Sequence, residues 1–119
     1  MLGEIDFLEY EEYLKILDEL SYREIEVLFI LDEYETQFPK DPDVSNLSRI
    51  GNFWDNFTKD LSENLHIPHE EIYPLLTRLE RSGCYVKLSG FTSSNTRGEL
   101  TPTYYKLKRF IIREDGSFA

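Results

Sequence analysis

This 119-residue chain has a single cysteine, Cys84, two histidines, and no apolar run longer than the five residues Val27-Leu28-Phe29-Ile30-Leu31. One cysteine excludes an intrachain disulfide and a multi-cysteine zinc site, and a reduced, cytoplasmic setting is the default expectation. A run of five falls far short of the ~18–20 apolar residues of a membrane-spanning helix, so no membrane partner is expected. Met1-Leu2-Gly3-Glu4 places no basic region ahead of an apolar one, which reads as no signal peptide. His66 and His69 stand side by side in one candidate turn. A Ser-His-Asp or Cys-His arrangement cannot be assembled from them. Glycine-rich phosphate loops are lacking too. A non-enzyme without cofactor or metal is expected. His66-Ile67-Pro68-His69 with Glu70 and Glu71 is a weak metal-ligand pattern with no cysteine near in sequence, and a turn residue followed by a helix-start residue is preferred.

What the chain does have is acid. The net charge is -10, and residues 1–35 hold twelve carboxylates (Glu4, Asp6, Glu9, Glu11, Glu12, Asp18, Glu19, Glu24, Glu26, Asp32, Glu33, Glu35) against Lys15 and Arg23. The whole imbalance resides there. Residues 68–119 hold eight bases and six acids, so the C-terminal part is slightly basic. Such asymmetry bears on partners, because the acidic part would repel a phosphate backbone lying close to it. The length suits one domain with a sizeable core of its own.

The apolar spacing predicts mostly helices. Asp6 and Glu9 have the spacing of a capping box ahead of a helix over about 7–20, with Phe7, Tyr10, Leu14 and Leu17 on one face. Ser21 and Glu24 form a second such box, opening a helix to about Glu35. Its unbroken run Val27–Leu31 predicts a helix surrounded on several sides. Residues 36–51, with Pro39, Pro42 and Gly51, read as a loop that can hold one helical turn around Leu47. Trp54, Phe57, Leu61 and Leu65 mark the next helix, and Ile72, Leu75, Leu76 and Leu79 the one after the His66-Ile67-Pro68 turn. Gly83 sits where a left-handed residue would end that helix. Cys84–Leu88 and about 97–100 read as two strands of a hairpin with its tip near 92–96. Cys84, first after Gly83, is expected as a buried inert thiol rather than a redox sensor. Thr101-Pro102 reads as a helix start, with a strand through Tyr105 and Leu107 as the competing reading.

The order helix, helix, turn, helix, hairpin, helix is the outline of a winged helix-turn-helix. Residues 65–83 resemble the turn and recognition helix of PadR- and MarR-like regulators. Tyr73-Pro74-Leu75-Leu76 resembles the Tyr-Pro-x-Leu of the PadR group, Leu79-Glu80-Arg81-Ser82-Gly83 the Leu-Glu-x-x-Gly that leads to the wing, and Leu100-Thr101 the Leu-Thr beginning the helix after it. The resemblance covers about residues 21–113. His66 stands at the turn position usually held by glycine. It implies a mainly α fold with a small β-hairpin wing: a winged helix-turn-helix of residues 21–119 preceded by an accessory helix, 1–20, in one compact domain.

What the resemblance implies for function is a DNA-binding transcriptional regulator, dimeric through its flanking helices, on double-stranded DNA. His69, Tyr73, Thr77 and Arg78 would face the major groove, with Lys87 and Arg97 at the wing. Glu70 and Glu71 suit the helix dipole yet sit where a phosphate would approach. The alternative is a winged-helix module for protein contact, without nucleic acid. The bases Lys87, Arg97, Lys106, Lys108, Arg109 and Arg113 fit either phosphate contact or neutralisation of the acidic first helices. Tyr73, Phe91, Tyr104 and Tyr105 are the aromatics that the apolar stripes do not absorb.

Overall fold

A computed structural model describes residues 7–88 and 97–115. The hairpin tip and Asp6 lie outside the described residues. Among the described residues, six helices and one two-stranded sheet follow in order: α1 (Phe7–Glu19), α2 (Tyr22–Gln37), α3 (Asn46–Gly51), α4 (Trp54–Asn64), α5 (His69–Arg81), β1 (Tyr85–Lys87), β2 (Gly98–Leu100) and α6 (Pro102–Asp115). The protein is mainly helical with a small antiparallel sheet, in the register Tyr85↔Leu100, Val86↔Glu99 and Lys87↔Gly98.

Local chemistry sets most boundaries. The Ser21 hydroxyl accepts from Glu24 N–H at 3.1 Å while the Glu24 carboxylate accepts from Ser21 N–H at 2.8 Å, satisfying two orphan donors at the start of α2. Ser45 caps α3 with its hydroxyl alone, accepting from Ser48 N–H. That short helix is the turn expected around Leu47. Two left-handed residues close α4 and α5: His66, φ 58°, and Gly83, φ 84°. The glycine adopts this conformation without Cβ strain; the histidine is tolerated less easily. Its neighbour Ile67 is buried and donates its N–H to Leu61 O at 3.2 Å, which holds the turn against the core. Thr101 ties the base of the hairpin: its hydroxyl donates to Gly83 O at 2.6 Å and accepts from Tyr104 N–H at 3.3 Å, capping α6. Residues 102–115 are therefore helix, not strand.

The core joins all six helices and the sheet. Leu28, Trp54, Phe57, Leu61, Ile72, Leu76 and Leu79 are buried together, with Val27, Leu31, Ile50, Phe53, Cys84, Tyr85, Tyr104, Leu107 and Phe110. α1 docks on α6 through Tyr13, whose ring centroid lies 5.4 Å from that of Phe110. The run Val27–Leu31 lies central to the core, with Val27, Leu28 and Leu31 buried, while Phe29 on its outer side is 36% exposed. Glu24, Asp32 and Glu35 of the acidic stretch are buried as well. No described helix is long and apolar enough to cross a membrane.

Candidate interaction surface

α5 is held by Ile72, Leu75, Leu76 and Leu79, all buried, so its other side is presented to solvent. His69 opens the helix and is exposed, as are Glu70, Glu71, Pro74 and Arg78; Tyr73 and Thr77 are half-buried. Pro74 sits inside the helix and has no N–H for the carbonyl one turn before it. The turn before α5 and the hairpin after it are held by the core, so this row is fixed in place.

The three cations expected to meet DNA, Arg78, Lys87 and Arg97, each have an engagement within the chain. Arg78 Nε lies 3.2 Å from Glu24 Oε2, which joins the last turns of α5 to the first turn of α2. Lys87 Nζ lies 3.9 Å from Glu80 Oε1, a pairing of β1 with α5. Arg97 lays its guanidinium over Gly51 at the end of α3: a Cβ there would stand 2.7 Å from Nη1. His69, Tyr73, Thr77 and Arg78 share α5, whereas Lys87 ends β1 and Arg97 directly precedes β2. Among the described residues no cluster of three or more potential ligands could hold a metal ion.

Sequence reasoning overlooked a set of buried polar groups behind this surface. Asp32 accepts from the Tyr104 hydroxyl at 2.8 Å and from Lys108 Nζ at 2.7 Å, which fastens α6 to α2. Glu35 accepts from Leu100 N–H at 2.8 Å, so the outer edge of β2 is satisfied by a side chain of α2. Arg49 spans the same region. It donates to Phe38 O at 2.7 Å and to Asn46 Oδ1 at 2.9 Å, and its Nη2 lies 3.3 Å from Glu99 and 3.7 Å from Glu35. Burial pushes the Glu35 carboxyl above the usual range against the opposing pull of Leu100 N–H and Arg49. Burial and then the Asp32 bond raise the Tyr104 phenol, so it stays a donor. The signal for this set was present: Glu24, Leu28, Leu31 and Glu35 recur at i, i+4, i+7 and i+11, which puts the outer two on the core stripe.

The remaining expected residues divide. Cys84 is buried and its thiol is raised by that burial, which suits an inert core position. Tyr105 is 37% exposed, and burial of its hydroxyl region pushes its phenol up to about 12. Phe91 lies outside the described residues.

No family model, curated protein or solved structure matches the chain. What this surface can bind must therefore be judged from its own chemistry.

Proposed function

We propose that residues 21–115 form a winged-helix unit whose exposed α5 face contacts protein rather than duplex DNA. One observation carries this reading. Arg78 and Lys87 are paired with carboxylates of their own chain and Arg97 is laid on α3, while the exposed first turn of α5 carries Glu70 and Glu71. Binding to a phosphate backbone is driven by releasing counterions from unpaired cations, and a first turn with two carboxylates opposes it. Tyr73, Pro74 and Thr77 suit a protein contact, as surfaces with an aromatic centre and little net charge do.

A second reading keeps a specific support. The left-handed turn at His66, the presented row His69, Tyr73 and Thr77, and the hairpin directly after α5 are the arrangement by which a recognition helix enters a major groove. On that reading the chain is a transcriptional regulator, dimeric through α1 and α6. Titration of random-sequence duplex DNA at two salt concentrations separates the two. The protein-contact reading expects no binding with a steep salt slope. Salt-dependent binding that weakens in Arg97→Ala, with the slope falling by about one, would overturn it in favour of DNA.

A further inference from the structure

Beside the buried Asp32, an open groove runs between α2 and α6. Phe29, Asp32, Glu33, Lys108, Ile111 and Ile112 line it, around a volume of about 310 Å³. Its floor is apolar, from Phe29, Ile111 and Ile112. Phe29 and Glu33 of its α2 bank continue along the helix as one stripe with Tyr22 and Glu26, at i, i+4, i+7 and i+11. Tyr22 is 79% exposed and Phe29 is 36% exposed, so large apolar groups stand in water along this bank.

The charge of the bank favours one kind of occupant. Glu26 and Glu33 flank Phe29, and the single cation of the lining, Lys108, is bound to Asp32 at 2.7 Å. A second copy of this chain would bring a further net charge of -10 to this acidic bank. Like-charged surfaces disfavour that pairing, whereas a cationic partner gains from it. Two helical banks with an apolar floor match the mode in which an amphipathic helix lays its apolar face into a groove.

We propose that the α2–α6 groove is a docking site for a cationic amphipathic helix of a partner protein. Its apolar side chains would cover Phe29, Ile111 and Ile112, and its lysines or arginines would face Glu26 and Glu33. This site lies apart from the α5 face and stands whether that face meets protein or DNA.

The test uses the whole chain and a fluorescent 18-residue designed helix with leucines on one face and lysines on the other. Two companions are a scrambled-order peptide and one with glutamates in place of the lysines. The amphipathic cationic peptide should bind, and both companions should bind much more weakly. Glu33→Lys, at an exposed position, should weaken binding about fivefold, because it turns one attraction into a repulsion. Glu71→Lys makes the same charge change on α5 and should leave binding nearly unchanged. Phe29→Ala should weaken binding with far-ultraviolet circular dichroism unaltered. Equal losses in Glu33→Lys and Glu71→Lys would overturn the proposal, since only general attraction to an acidic protein would remain. Failure of the cationic helix to bind would overturn it as well. So would a concentration-dependent dimer that is lost in Phe29→Ala, because the groove would then belong to a second copy.

Discussion

Glu24 Oε2 lies 3.2 Å from Arg78 Nε while the other oxygen of the same carboxylate accepts from Ser21 N–H. One side chain thus closes the N-terminus of α2 and holds the last turns of α5, 54 residues further along the chain. Glu24 is buried, whereas the Arg78 side chain is 57% exposed. The cap should therefore contribute more than the ion pair. Glu24→Ala should lower stability by about 1–2 kcal/mol, as loss of a capping group does. Glu24→Gln should recover most of that, since its amide oxygen can still accept. Arg78→Ala should cost under ~1 kcal/mol. Urea denaturation of the three variants checks the order, and a larger loss in Arg78→Ala than in Glu24→Ala would show that the pair dominates.

Asp32 accepts from the buried Tyr104 hydroxyl and also binds Lys108. Asp32→Ala leaves a phenol without a partner in the core and should cost about 1–3 kcal/mol. Tyr104→Phe removes the donor instead and should cost less. The double variant Asp32→Ala/Tyr104→Phe should be no worse than Asp32→Ala alone, because no orphan group is left. A fully additive cycle would reject the coupling.

Glu35 gives a pH dependence of definite sign. Burial holds its folded pKa above the ordinary 4.5, so between those two values the folded state keeps a proton that the unfolded state has lost. Stability from this group is then fully present below pH 4.5 and is lost as pH rises through the folded pKa. Relative to Glu35→Gln, which cannot titrate, the wild type should gain stability as pH falls from 7 towards 4.5. Denaturation midpoints of both proteins across that range measure the difference. A relative gain on raising pH would mean that Arg49 outweighs burial.

Two glycines differ in what lies over them. A Cβ at Gly98 would meet the Tyr85 ring and stand 2.5 Å from Val86 O, so Gly98→Ala must displace backbone and a buried aromatic. It should destabilise by about 1–3 kcal/mol, the cost of overpacking. A Cβ at Gly51 meets only the guanidinium of Arg97, the far end of a flexible side chain. Gly51 lies in α3, where alanine has the better helix propensity, so Gly51→Ala should be near neutral. Thermal midpoints of the two variants decide it; similar losses at both positions would contradict the contrast.

Local sequence determined the helix spans, their caps and the apolar stripes, because these depend on residues three, four and seven apart. Ser21 with Glu24, Gly83, and Thr101 with Pro102 each marked a boundary through a short-range hydrogen bond or a backbone conformation. The leucine row of α5 likewise identified its buried side and, by difference, its presented side. Tertiary structure alone decided which charges are free. Tyr104 reaches Asp32 across 72 residues and Leu100 N–H reaches Glu35 across 65. Nothing within either segment specifies such a partner. A carboxylate on a helical stripe is solvated or buried according to what packs over it, since burial is tolerated only where donors converge on the charge. Arg78, Lys87 and Arg97 are not buried, but what they meet was likewise set by the fold. Their positive charge is written in the sequence, whereas Glu24, Glu80 and Gly51, which engage them, stand on elements that only the fold brings together.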